Sequence, residues 1–157
     1  GNLQGDAVQE TSALGVSNYP AIAWIDGQFA IAWADNRHSA FNYEIYARLL
    51  DESGNAMGDE IRVTNSMGHS TYPQIAEAGT LFGLTWRDDR DGDGEVYFTT
   101  LDPNGALGPE HKLTDNVSTD AYPYLIWDGT AFRLVWSGYV AVGNSEVLTA
   151  AILCSDE

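Results

Sequence analysis

The chain has 157 residues, one domain in size, and its 44% hydrophobic and 11% aromatic content is enough for a core, which excludes general disorder. Seven basic against 23 acidic residues give a formal charge of −16. That field repels nucleic acid and anionic membrane, and it suits solubility, a cation-rich setting or a cationic partner. No apolar run approaches the ~18 residues needed to span a bilayer, and no signal peptide is visible.

The opening residues, GNLQGDAVQETSALGVSNYP, match GNAMGDEIRVTNSMGHSTYP, which begins at Gly54, without a gap. Tyr-Pro recurs at Tyr19-Pro20, Tyr72-Pro73 and Tyr122-Pro123, spaced by 53 and 50 residues, and Trp33, Trp86 and Trp136 recur in step. A long internal period signals a repeat architecture. Within the first unit, Ile22–Trp24 precedes a turn at Asp26-Gly27, and Phe29 to Trp33 is a second apolar run. Glu44 to Leu49 is a third, turn residues run from Asp51 to Asn55, and Asp59 to Thr64 is a more polar fourth. Short β-branched and aromatic runs bounded by Gly, Asp, Asn and Pro are strand signals, and no stretch sustains a helical period.

The second unit reads Gln74–Glu77, Leu81–Arg87, Glu95–Leu101 and Glu110–Thr114. The third reads Tyr124–Trp127, Ala131–Trp136 and Glu146–Leu153, and its fourth run is found only at Asp6–Thr11, at the other end of the chain. Four short strands in about 50 residues, repeated, describe an all-β fold of β-propeller blades, each of four antiparallel strands. A solenoid is the competing repeat class, and an ordinary sandwich leaves the repeat unexplained. The expected organisation is one domain, 1–157, of three blades in units 19–65, 72–115 and 122–155, with 1–12 as a permuted closing strand. Three blades are too few to surround a channel, since propellers use 4–8. A homodimer closing a six-bladed ring, with exchanged N-terminal strands, is therefore expected, the alternative being a piece of a longer array.

The repeat resembles the WD-like repeats of TolB-type propellers. The second unit carries Asp88-Asp89-Arg90-Asp91-Gly92, Glu95-Val96-Tyr97, Asp102 to Gly105, Leu113-Thr114 and Tyr122-Pro123. The first carries Asp35-Asn36-Arg37, Glu44-Ile45-Tyr46, Asp51 to Gly54, Val63-Thr64 and Tyr72-Pro73. The third departs, with Gly138-Tyr139-Val140 in place of Asp-x-Arg. The resemblance implies a six-bladed ring and, with the acidity and the lack of paired thiols, a secreted, periplasmic or cell-surface protein. Fold does not fix function.

Strand order in propellers puts the strand two-to-three loops on one face, with Asp35, Arg37, His38, Phe41, Tyr43, His69, Asp88, Arg90, Asp91, Asp93 and Tyr139. Loops on a rigid scaffold are the expected ligand-binding face. Asp35/Arg37 and Asp88/Arg90 recur at matching positions. They read either as a ring of ligand-binding ion pairs or as pins for the loop, with Arg also reaching Glu44 or Glu95, and repetition favours pins. The tryptophan series reads as packing between blades in preference to sugar stacking.

Asp89, Asp91, Asp93 and Glu95 follow the start of a D-x-D-x-D-G calcium loop, so Ca²⁺ is a candidate ligand. Position 12 of that loop is Thr100, which removes the bidentate Glu, and the repeat's own turn accounts for the same residues. His38, His69 and His111 share no ligand spacing. The single Cys154 excludes an intrachain disulfide, and no second Cys or nearby His completes a thiolate site. No G-x-S-x-G occurs. Carboxylate pairs are unavoidable with 23 acids, so they are no evidence of glycoside hydrolysis. The expected function is a non-catalytic binding module presenting one loop face to a protein or glycan, with no catalytic residue. The alternatives are a fragment of a larger surface repeat protein and a glycosidase-like propeller enzyme.

Overall fold

The structure, a computed structural model, describes residues 2, 5–141 and 143–153; Cys154 lies outside them. Eleven strands form three antiparallel sheets in chain order. The first holds β1 (Ser17–Ile25), β2 (Gln28–Asp35), β3 (Glu44–Asp51) and β4 (Ile61–Arg62). The second holds β5 (Ser70–Glu77), β6 (Phe82–Asp88), β7 (Glu95–Leu101) and β8 (His111–Lys112). The third holds β9 (Asp120–Trp127), β10 (Phe132–Ala141) and β11 (Asn144–Ile152). Each sheet is a propeller blade, the fold class read from the repeat. No helix of the described residues is long and apolar enough to cross a membrane.

The innermost strands begin earlier than the apolar runs suggest, because each takes in the Tyr-Pro pair. Proline donates no ladder hydrogen bond, so it sits in a strand only at an edge or a bulge. The register slips there, between Asn18 and Ala21 in blade 1 and between Thr71 and Gln74 in blade 2. The tyrosine before each proline takes a left-handed φ, 55° at Tyr19, 54° at Tyr72 and 53° at Tyr122. The fourth strands shrink to two residues each, although beyond them Val63 N–H still donates to the Ile45 carbonyl and Leu113 N–H to the Val96 carbonyl, both at 2.8 Å.

The core lies between blades. Ala30, Ala32, Ala47 and Leu49 of blade 1 meet Ile75, Phe82, Leu84 and Leu101 of blade 2. Ala76, Val96 and Phe98 of blade 2 meet Leu125, Phe132 and Leu134 of blade 3. Phe82, Leu84 and Leu101 are fully buried, and each contributes about 1.5–3 kcal/mol of transfer free energy. Gly83 is small for a reason: a Cβ there would lie 2.5 Å from the Phe132 ring. Segment 6–11 belongs to no strand of the described chain. The carbonyl of Glu10 instead accepts a hydrogen bond from Arg48 Nη1 at 2.6 Å, on blade 1.

Candidate functional site

The recurrent residues of the loop face build its frame. Asp35 ends β2 and is almost fully buried. It accepts from Ser17 Oγ at 2.8 Å, Trp33 Nε1 at 3.2 Å and Arg37 Nε at 2.9 Å. Asp88 repeats the arrangement, with Ser70 Oγ at 2.7 Å, Trp86 Nε1 at 3.1 Å and Arg90 Nε at 2.8 Å. Burial pushes the Asp35 carboxyl up, but the hydrogen bonds from Arg37, Ser17 and Trp33 outweigh it and hold it at about 2. Asp88 is lowered by the same opposition. Each arginine also lies over a tyrosine, Arg37 4.0 Å from the Tyr46 ring and Arg90 4.5 Å from the Tyr97 ring.

The outer partners of these arginines are Glu60 and Glu110. Glu44 is held elsewhere, by Thr64 Oγ1 at 2.5 Å and Arg62 Nη2 at 3.0 Å, and Glu95 by Thr114. Trp33 stacks on Tyr46 at 6.1 Å and Trp86 on Tyr97 at 6.0 Å, and Trp86 also packs against Ala34 and Ile45 of blade 1, between blades as expected.

Against this frame stands a cup near the inner strands, of about 470 Å³, lined among others by Tyr19, Tyr72, Tyr122, Arg87 and Asp89. Its tyrosines come from the three bulges and touch in series, with ring centroids 4.4 Å apart for Tyr19–Tyr72 and 4.7 Å for Tyr72–Tyr122. The adjoining Tyr19 hydroxyl, then burial, then Tyr122 push the Tyr72 hydroxyl up to about 12. The same tyrosines line a smaller cavity of about 180 Å³ toward Pro20, Gln74 and Tyr124. Backbone strain of this kind concentrates at sites where the surrounding fold over-determines it, and functional sites are prominent among them.

Arg87 and Asp89 give the cup its charge. Arg87 Nη1 donates to Asp89 Oδ2 at 3.2 Å, and the backbone N–H of His69 donates to Asp89 Oδ1 at 2.6 Å. Arg87 crosses Gly94 so closely that a Cβ there would lie 2.6 Å from its Nη2. Both residues break the repeat: blade 1 has Ala34 and Asn36 in their places, and blade 3 has Ser137 and Tyr139. Asn36 Oδ1 keeps the backbone bond, accepting from Val16 N–H at 2.7 Å. The acceptor is therefore structural, while the charge in blade 2 is not required by the frame.

Of the loop-face residues read from sequence, Tyr43, His69 and Tyr139 line this cup. Tyr43 N–H donates to His69 Nδ1 at 3.4 Å. Asp35, Arg37, Asp88 and Arg90 are in the buried pins, His38 Nε2 pairs with the Tyr46 hydroxyl at 2.7 Å, and Phe41 is exposed on its loop. The four acids of the calcium-like loop point to different partners. Asp89 faces Arg87, Asp91 accepts from Tyr97 Oη at 2.8 Å and pairs with Lys112 at 3.0 Å, Glu95 is buried on Thr114, and Asp93 is exposed. No group of three or more His, Cys, Asp or Glu able to hold a metal occurs among the described residues. The residues missed by sequence are Arg87 and the three tyrosines. The threefold Tyr-Pro was the signal for the latter, read there only as a marker of the period.

A β-propeller with an aromatic, partly charged axial cup is the class these observations define. No family model and no curated protein matches the chain. Solved structures do. A family 117 glycoside hydrolase produced by the marine bacterium Zobellia galactanivorans superposes with a TM-score of 0.63 at 9% identity, over 98% of this chain and 59% of its own. An α-L-arabinofuranosidase from Lactobacillus brevis gives 0.62 at 11%, over 90% and 54%. An endo-arabinase from Bacteroides thetaiotaomicron gives 0.59 at 14%, over 90% and 58%.

The chain thus spans little more than half the length of these structures. At such identities the likeness establishes the propeller fold. It also corrects two expectations. The chain was read as a non-catalytic binding module and as no enzyme, on the absence of a recognisable catalytic motif. These three structures are glycoside hydrolases, which favours the glycosidase-like alternative over the binding module.

Proposed function

We propose that this chain is part of a glycoside-hydrolase-type propeller that takes a carbohydrate in the tyrosine cup, with Asp89 as the carboxylate it brings to the reaction. The Arg87–Asp89 pair carries the proposal: it breaks the repeat where charge meets the aromatic cup. Tyrosine faces suit the C–H faces of a sugar, and Arg87 has donors left for its hydroxyls.

Glycoside hydrolysis ordinarily needs two carboxyl groups flanking the bond, about 5–5.5 Å apart for retention and 6.5–9.5 Å for inversion. Asp89 is the carboxylate among the described lining residues of the cup. The second belongs to blades that complete the ring. The neighbours' arabinose-directed names make aryl arabinofuranosides and arabinan oligosaccharides the first substrates to try.

Calorimetric titration with arabinan oligosaccharides is expected to show saturable binding that Tyr72→Ala weakens at least tenfold. No binding across a panel of pentose and hexose oligosaccharides would refute the reading. Within the propellers, the finer assignment to TolB-type repeats rests on the Asp-x-Arg turns of blades 1 and 2. The acidity and the secreted character of such repeats support an extracytoplasmic location.

A further inference from the structure

The outer faces of the two end blades carry residues whose repeat equivalents are buried inside. Ile22 of blade 1 corresponds to Ile75 and Leu125, which pack against the preceding blade and are 7% exposed each; Ile22 is 61% exposed. On the far side, Val147 of blade 3 corresponds to Ile45 and Val96, which are 0% exposed; Val147 is 73% exposed. Ile126 likewise corresponds to Ala76, buried against blade 3. The front of blade 1 and the rear of blade 3 are thus the two halves of the contact the molecule already makes twice.

Among the described residues, the outer edge of β11 pairs with no strand. In blade 1 the Ile45 N–H donates to Thr64 Oγ1 at 2.8 Å, and that hydroxyl donates to Glu44. In blade 2, Val96 N–H, Thr114 Oγ1 and Glu95 repeat it. Blade 3 has Glu146 and Val147 at these positions, both exposed. The matching threonine in the sequence is Thr11, in segment 6–11, whose Val8 is 76% exposed and aligns with the packed Ile61. In blades 1 and 2 the fourth strand leads directly into the first strand of the next blade. Segment 6–11 leads into β1, so its place is on the blade before blade 1.

The geometry points to a second copy of this chain as the occupant of both faces. The rear of blade 3 packs on the front of blade 1 of the second copy, whose segment 6–11 pairs with β11 and sets its Thr11 on Glu146. The contact is head-to-tail and closes after two copies, giving six blades around one axis and no free apolar face. The register of β3 with β4, Tyr46 opposite Arg62 and Ala47 opposite Ile61, puts Gln9 opposite Leu148 and Val8 opposite Thr149. The assembly rests on blade geometry alone. Its consequence for the site rests on the proposed function: the second copy brings its own Asp89 and tyrosines to the axis, which supplies the missing carboxylate.

Light scattering of the chain is expected to give the mass of two copies, and Val147→Asp, away from the cup, to halve that mass while leaving the β spectrum. A single-chain mass for the folded wild type overturns the proposal. As a second readout, Gln9→Cys with Leu148→Cys, in a Cys154→Ser background, is expected to oxidise to a dimer on a non-reducing gel. A linkage within one chain, or none, overturns the exchanged strand. A two-copy ring without turnover of any glycoside would refute the proposed function and leave the assembly standing. A monomer that hydrolyses glycosides does the reverse.

Discussion

Blades 1 and 2 hold their loop face with an aspartate at the end of the second strand, while blade 3 has moved that carboxylate to the strand beside it. Ser17 pairs across the sheet with Asp35, and Ser70 with Asp88. In blade 3 the same pair reads Asp120 opposite Gly138. A Cβ on Gly138 would collide with Asp120 Oδ1 and lie 3.3 Å from Trp136 Nε1, so the carboxylate fills the space that a side chain at 138 would need. Asp120 is buried, accepts from Asn116 Nδ2 at 2.7 Å, and has no arginine: Val140 stands where Arg37 and Arg90 do. Asp120 Oδ1 and Trp136 Nε1 are both buried without a hydrogen-bond partner among the described residues. The geometry of the pin is conserved across strands more closely than along the sequence, and its bonding is weaker in blade 3.

The comparison breaks most visibly at its strong end. Asp88→Ala leaves Trp86, Ser70 and Arg90 without their shared acceptor inside the protein, and is expected to cost about 3–5 kcal/mol, the range for removing one partner of a buried pair. Calorimetry should show the melting temperature falling by roughly 10 °C. A fall no larger than that of an exposed control would mean that the pin is decoration. The weak end is tested by Gly138→Asp, which restores the sequence of blades 1 and 2 but overfills the site. It is expected to destabilise by about 2 kcal/mol. Adding Asp120→Ser removes the clash and should recover most of the loss, a coupling of about 1–3 kcal/mol in a double-mutant cycle. Simple additivity would contradict the exchange of roles.

Acid sharpens the same contrast. The folded Asp35 carboxyl, at about 2, lies below its ordinary 3.8. The stability it contributes, about 2 kcal/mol, is therefore fully present above about pH 4 and lost as pH falls toward 2. Denaturant midpoints from pH 5 to pH 2 should show this loss in the wild type and a smaller one in Asp35→Asn. Alkali acts on the cup in the opposite sense. Tyr72 is raised to about 12 from 10.0, so its contribution is present below pH 10 and lost between 10 and 12; Tyr72→Phe should flatten that limb. The smallest effect belongs to the outer ion pair. Glu110 is partly exposed at its contact with Arg90, and Glu110→Gln is expected to cost under about 1 kcal/mol, less at high salt.

The blades were legible because Tyr-Pro, Trp and Asp-Gly turns recur at fixed offsets, and each marks a constraint of the backbone. The pins were legible in part: Asp35 with Arg37 could be read from their repetition, but the arginines' outer partners are Glu60 and Glu110, not Glu44 and Glu95. Those choices depend on where two-residue strands end. Asp120 was invisible as a pin because the sequence column at Gly138 shows a loss, and only the cross-strand register reveals the replacement. The cup was invisible because the three tyrosines meet across blades about 50 residues apart, at a bulge that sequence does not announce. Arg87 and Asp89 stood inside a run of charge whose members face different ways.

The proposed role of Asp89, the charge that breaks the repeat, is in a reaction on a carbohydrate. The direct measurement is the rate of release from aryl arabinofuranosides, and from a panel of other aryl glycosides, by the wild type and by Asp89→Asn at equal concentration. Asn preserves the backbone bond that Asn36 makes in blade 1, so the fold is kept. Turnover by the wild type and a loss of at least about a hundredfold in the variant are expected. Equal rates in the two proteins, or no turnover by the wild type on any member of the panel, would contradict that role.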